Sequence, residues 1–259
     1  MLLTDYPLFD AHFHVIDPRF PLVPNRGYLP DRYTVSDYKE RVKGYDLRGG
    51  AVVSGSFQAF DQDYLVDALQ RLGPAFVGVT QLPASVDDEE LRELHGYGVR
   101  AVRFNLKRGG SEDVSQLDGM ARRIHALLGW HVELYIDARE LQPLRTMLAA
   151  LPAVAIDHLG LSKEGLPHLL WLAERGVRVK ASGFGRVDFD VRDALKDLYA
   201  ANPASLMFGS DLPSTRAARA YSDRDFELVV QALGPEGARR VLFENAVGFY
   251  RPQGGHAEA

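Results

Sequence analysis

Eight short apolar runs rich in β-branched residues, separated from one another by stretches with helical periodicity, constrain the fold of this 259-residue chain more than any other feature. The runs are 8–14, 51–54, 76–80, 99–105, 131–137, 154–158, 177–182 and 206–210. Between them, Leu65, Leu69 and Leu72 mark a helix over 62–72, and Leu91 with Leu94 marks another. Ile124, Leu127 and Leu128 do the same before Trp130, and Leu141, Leu144 and Leu148 after Asp137. Pro167 suits a first helical turn, Ser222 with Asp225 resembles a capping box, and Gly234-Pro235 ends one helix and begins another. Strand followed by helix, eight times over about 250 residues, predicts an α/β fold of one domain, a (β/α)8 TIM barrel, over residues 1–252. Residues 253–259 read as a frayed tail. The runs are dense in Val, Ile, Ala and Leu, as expected of parallel strands covered by helices. A doubly wound sheet is the rival fold, but no G-x-G-x-x-G follows an early run.

One connection is much longer than the others. Residues 17–49 carry Pro18, Pro21, Pro24 and Pro30 interleaved with Phe20, Tyr28 and Tyr33, ahead of a predicted helix at 35–43. In a barrel, an insertion after strand one sits over the C-terminal mouth, either as a lid or as a stiff surface excursion.

Composition narrows the chemistry. A net charge of −5 gives no general attraction to nucleic acid or anionic membrane, and no Lys/Arg tract is interleaved with aromatics. Zero cysteines exclude disulfides and thiolate ligands, leaving His, Asp, Glu or Lys for any metal. The opening residues lack a basic segment followed by an apolar stretch, and no window approaches ~18 uninterrupted apolar residues. A soluble, cytoplasmic protein is expected, with its oligomeric state open, a homo-oligomer included.

His12 and His14 end the first run two residues apart, so strand periodicity aims both imidazoles at one side. Alone, the pair is equally compatible with packed or solvated histidines. In a barrel, however, residues ending different strands converge on one mouth. Strand four then supplies Arg103, Asn105 and Lys107, strand five Tyr135 and Asp137, and strand six Asp157-His158. Strand seven supplies Lys180 and Ser182 with Arg186 just beyond, and strand eight Asp211. Read blandly, Asp211 is a turn or N-cap aspartate, His158 a satisfied core histidine, and the basic residues an exposed rim. Read chemically, Arg103, Lys107, Arg108, Lys180 and Arg186 in an acidic protein suggest a mouth built for a carboxylate.

Asp10-Ala11-His12-Phe13-His14, the histidine of Ile156-Asp157-His158-Leu159-Gly160, and Gly209-Ser210-Asp211 together resemble the amidohydrolase superfamily. Val102-Arg103-Phe104-Asn105, Leu134-Tyr135-Ile136-Asp137, Lys180-Ala181-Ser182-Gly183 and Glu244–Tyr250 are similar to its 2-pyrone-4,6-dicarboxylate lactonase and sugar-lactone hydrolase branch. The resemblance implies hydrolysis of a ring ester: Asp211 as the base that deprotonates water, and His12, His14 and His158 polarising the carbonyl as N–H donors or through a metal. Arg103, Asn105, Arg108, Tyr135, Lys180 and Arg186 would then hold a small anionic lactone. Ester hydrolysis requires such roles on chemical grounds as well.

Two departures qualify this. Metal-dependent members add a histidine at the end of strand five, where this chain has Tyr135; His131 lies near the opposite end, about four residues or ~13 Å away at strand rise. The sequence therefore favours no cofactor, with divalent zinc on His12, His14, His158 and Asp211 as the alternative. In the dicarboxylate lactonases a further arginine follows the His-x-Gly of strand six, where this chain has Leu161. A mono-anionic, sugar-derived or sulfonated lactone thus fits as well as a doubly anionic pyrone. A zinc-dependent hydrolase or decarboxylase and a non-catalytic barrel that binds a small acid are the other readings.

Overall fold

A computed structural model describes residues 2–254, and part of the predicted tail, 255–259, lies outside the described residues. Eight parallel strands follow one another in sequence order: β1 (Pro7–Phe13), β2 (Asp46–Val53), β3 (Phe76–Thr80) and β4 (Val99–Phe104), then β5 (His131–Leu134), β6 (Val154–Ile156), β7 (Arg178–Ala181) and β8 (Leu206–Phe208). Helices alternate with them as the periodicity predicts. They are α1 (Val35–Val42), α2 (Asp63–Leu72), α3 (Asp88–Gly96) and α4 (Leu117–Leu128), then α5 (Arg145–Ala150), α6 (Leu166–Ala173), α7 (Val191–Ala201), α8 (Asp223–Arg239) and a final α9 (Asn245–Tyr250). The Ser222–Asp225 capping box forms, Pro167 lies in the first turn of α6, and Gly234 breaks α8 at φ 69°. The result is a nearly closed (β/α)8 barrel.

Strands five, six and eight end two or three residues earlier than their apolar runs. Their last residues leave the ladder to form the mouth: Asp137 caps a 3-10 turn by accepting from Arg139 N, and His158 and Asp211 take left-handed φ values of 52° and 59°. Strand two starts earlier than the pattern indicates, at Asp46, because its first residues pair with Pro7 and Leu8.

β1 and β8 join at the mouth through Asp211 N donating to the His12 carbonyl (2.7 Å) and His14 N to the Leu212 carbonyl (2.8 Å). The join requires glycine at 209, where a Cβ would stand 2.7 Å from His12 Cβ. The same backbone bonds that close the barrel therefore bring His12, His14 and Asp211 together. Below the mouth the barrel is filled by Phe9, Ala11, Val53, Val79, Ala101 and Met207, with Ala246 and Tyr250 of α9 packed into the same cluster. The helices pack on the outer face through the larger apolar cluster.

The long segment after β1 is pinned by an Ile16–Tyr33 bridge and by Val23 N donating to the Phe57 carbonyl (2.8 Å). Asn25 Nδ2 donates to the Arg108 carbonyl (3.2 Å), which joins this segment to the loop after β4. Among the described residues no helix is long and apolar enough to cross a membrane.

Candidate active site

Three imidazoles surround one carboxylate oxygen. Asp211 Oδ1 lies 3.8 Å from His14 Nε2, 3.9 Å from His158 Nε2 and 4.0 Å from His12 Nε2, and all four side chains are buried. His12 Nε2 and Asp211 Oδ1 have no hydrogen-bond partner among the described residues. Buried polar atoms are almost always paired, so unpaired ones facing each other in one hollow point to a guest.

Hydrogen-bond partners decide what each ring presents. His14 Nδ1 lies 2.7 Å from the Val53 carbonyl, which can only accept, so Nδ1 carries the proton and Nε2 turns a lone pair to Asp211. The expectation that His14 polarises a carbonyl as an N–H donor is corrected on this point: it is an acceptor. Protonation does not restore a donor, because burial and the Arg103 cation push its pKa down to about 3. His12 Nδ1 is 3.4 Å from both Lys180 Nζ and Asp157 Oδ1; when lysine donates, His12 Nε2–H faces the site. His158 Nδ1 meets Ser182 Oγ at 2.9 Å. Burial first, then neighbouring groups, hold His12 and His158 well below the usual imidazole range, so all three rings are neutral.

Burial raises the Asp211 carboxyl above its ordinary pKa, and Arg186, bonded to Oδ2 at 2.6 Å, partly offsets that rise. Arg103 grips Asp157 through Nε (3.0 Å) and Nη2 (2.8 Å). Burial opposes ionisation of Asp157, but Arg103 and Lys180 outweigh it and hold its carboxyl below the usual range. Lys180, expected to touch substrate, instead lies beneath the site. Its buried ammonium is engaged by Glu133 and stands 3.7 Å from Asp157. Arg103, Lys180 and Arg186 thus face Asp157, Glu133 and Asp211, a balanced set of charges.

A pocket opens above this set, lined by His14, His158, Arg103, Asn105, Tyr135 and Arg186 together with Arg108 and Arg216. Lys107, also predicted near the mouth, is taken by Asp137 at 3.1 Å. Asn105 orients the loop after β4 by accepting from Arg108 N (3.0 Å). Sequence reading missed Glu133, Arg216 and Tyr250. Glu133 could have been found, since an acidic residue inside the apolar run of a buried strand needs a cationic partner. Arg216 gives no such signal, because it sits in an irregular loop.

His12, His158 and Asp211 each offer one ligand atom within 4.8 Å of the others, and these residues could hold a metal ion. The neutral imidazoles and the unpaired atoms suit that use. Tyr135 stands where a fourth ligand from strand five is expected, and Arg186 occupies the second oxygen of Asp211.

Imidazoles and a carboxylate gathered at the C-terminal ends of barrel strands lie where (β/α)8 proteins place their active sites. The amidohydrolase family model matches residues 9–251, and the chain belongs to that family. A 2-pyrone-4,6-dicarboxylate hydrolase of Comamonas testosteroni is 35% identical over 156 residues, covering 58% of this chain and 51% of that protein, about half its length. A 4-sulfomuconolactone hydrolase of Rhizobium radiobacter is 26% identical over 265 residues, covering 92% of this chain and 87% of that one. A solved structure of a probable 2-pyrone-4,6-dicarboxylic acid hydrolase from Acinetobacter baumannii, with citric acid bound, has the same fold. Its TM-score is 0.81 at 22% identity, over 94% of this chain and 99% of that chain.

Proposed function

We propose that this protein hydrolyses the ring ester of a small carboxylated lactone without a metal, using Asp211 as general base. The observation that carries the reading is the grouping of His12, His14 and His158 Nε2 around the unpaired Oδ1 of Asp211, below an arginine-lined pocket. The relatives named as lactone hydrolases support the reaction class.

Two acceptors 3.8 Å apart, Asp211 Oδ1 and His14 Nε2, suit one water at about 2.8 Å from each, donating a hydrogen to both. Its lone pair then faces the pocket. Attack forms the carbon–oxygen bond as Asp211 takes the proton. The oxyanion accepts from His12 Nε2–H and from the N–H groups of Arg103 not committed to Asp157 and the Ser54 carbonyl. Collapse breaks the ring carbon–oxygen bond, and Asp211 returns its proton to the leaving oxygen, giving an open-chain hydroxy acid. Asn105, Arg108, Tyr135 and Arg186 hold the substrate carboxylate.

Asp211→Asn keeps the shape and removes the base, so turnover of a carboxylated lactone is expected to fall by ~100-fold or more with little change in ligand binding. Full activity in that variant would exclude the role.

The unpaired His12 Nε2 and Asp211 Oδ1 favour one second reading, in which His12, His158 and Asp211 hold a divalent ion that supplies Lewis-acid polarisation of the carbonyl. Dialysis against a chelator separates the two. Activity is expected to survive it, and loss that zinc restores would establish the metal reading.

A further inference from the structure

A second cavity lies at the opposite end of the barrel from the candidate active site, where β5, β6 and β7 begin. Its volume is about 300 Å³, and His125, His131, Arg178, Phe249 and Arg251 line it with glycine backbone between them. Among the described residues it is lined by no carboxylate. Arg178 gives one N–H to the Ala204 carbonyl and Arg251 gives one to the Gly129 carbonyl, which leaves four N–H groups on each guanidinium and no acidic partner for either among the described residues. The acids nearest in sequence are committed elsewhere: Glu174 to Arg175 at 3.3 Å, and Glu133 to Lys180 and Tyr250. Burial disfavours the charge on Arg178, a cost that a bound anion would relieve. Arg100, which bonds only to the His95 and Val99 carbonyls, has its charge disfavoured by burial and then by Arg251, so the excess of positive charge at this end is shared by three arginines.

His131 makes the cavity selective. It is 3% exposed, its ring centroid lies 4.2 Å from that of Phe249, and the Arg178 guanidinium carbon stands 5.4 Å over the same phenyl ring. Nε2 lies 3.1 Å from Glu133 Oε1. Burial opposes ionisation of Glu133, but Lys180 outweighs it, and a carboxylate can only accept, so Nε2 carries the proton. Burial, partly offset by Glu133, holds the imidazole below its ordinary pKa. Nδ1 is therefore a bare acceptor, without a partner among the described residues, on the wall of a cavity whose cations are all donors. His125, the other imidazole on that wall, spends Nδ1–H on the Trp130 carbonyl (3.0 Å).

We propose that this cavity binds a small oxyanion that also carries an O–H group, a hydrogen phosphate or a hydroxycarboxylate, with Arg178 and Arg251 pairing the anion and His131 Nδ1 accepting from the hydroxyl. An anion without a hydroxyl sets a lone pair against Nδ1 and is rejected. The site stands independently of the lactone-hydrolase reading, which uses the other end of the barrel.

Two matched pairs of ligands read the hydroxyl: hydrogen phosphate against sulfate, and lactate against propionate. Titration calorimetry of the wild type, in mildly basic buffer where hydrogen phosphate and sulfate carry equal charge, is expected to show about tenfold tighter binding of the hydroxylated member in at least one pair. The pair that discriminates identifies phosphate or carboxylate as the ligand's frame. Arg251→Gln, at an exposed position, is expected to weaken that ligand about tenfold, and His131→Phe to abolish the discrimination, with circular dichroism confirming that both variants fold. Neither variant touches the mouth, so binding there persists in both and drops out of the comparison with the wild type. Equal binding within both pairs, an Arg251→Gln protein that binds as the wild type does, or discrimination that survives in folded His131→Phe would each overturn the site.

Discussion

Asp211 combines a buried carboxylate with one oxygen committed to Arg186 and the other facing three neutral imidazoles. Burial makes it more basic than an exposed aspartate, and Arg186 limits that gain. The base must be ionised to act, so kcat/KM is expected to fall on the acid side around a pKa above the ordinary ~3.9 of aspartate. Arg186 favours the carboxylate, and Arg186→Gln should therefore move this limb to higher pH. A pH–rate profile of the two proteins checks the sign, and a limb that moves to lower pH in the variant would contradict it. His14, held near a pKa of about 3, stays neutral across this window and adds no second limb.

At the level of loops and strands, the mouth is fastened by Asp137, which ends the β5 run. It accepts from Arg139 Nη2 (2.8 Å), from Ser162 Oγ on the loop after β6 (2.6 Å) and from Lys107 Nζ on the loop after β4 (3.1 Å). Arg139, then Ser162 and Lys107, hold its carboxyl below the ordinary range despite burial. The folded-state pKa is depressed, so the stabilisation is present above the unfolded value of ~3.9 and is lost as pH falls through the folded one. Asp137→Asn keeps an acceptor for Ser162 and removes the charge, so it is expected to cost about 1–2 kcal/mol at pH 7, from the loss of charge assistance in the Ser162 bond and from the partly exposed Arg139 and Lys107 pairs. Urea melts from pH 7 toward pH 2 should show the gap between variant and wild type narrowing. A gap that stays constant would assign the cost to packing instead.

Across the whole molecule, a line of buried groups runs from the floor of the barrel to its mouth. Tyr250 of α9 donates to Glu133, Glu133 meets Lys180, and Lys180 reaches Asp157, which Arg103 grips from the pocket side. The last helix is thereby tied to the candidate chemistry. Lys180→Met leaves the buried Glu133 carboxylate without its cation, while Asp157 keeps Arg103, and is expected to destabilise the protein by about 3–5 kcal/mol. Adding Glu133→Leu removes that stranded charge, so the double variant should be more stable than Lys180→Met alone. Denaturant melts of the wild type, the two single variants and the double variant decide it, and simple additivity of the two single losses would rule out the coupling.

Periodicity and residue type made the barrel legible, because helix and strand repeats are local properties of the chain and eight alternations leave few ways to bury the apolar faces. The same logic singled out His12, His14, His158 and Asp211, since strand ends in a barrel share one mouth. The use of each charge was not legible. Arg103 and Lys180 look alike as basic residues inside apolar strands, yet one lines the pocket and the other is sealed under it by Glu133. The tautomer of His14 depends on a carbonyl from β2. The chain alone determines which groups are present and which ends of which strands carry them. Partners that are distant in sequence meet only when the barrel closes, so tertiary structure decided which groups neutralise one another and which are left to meet a ligand.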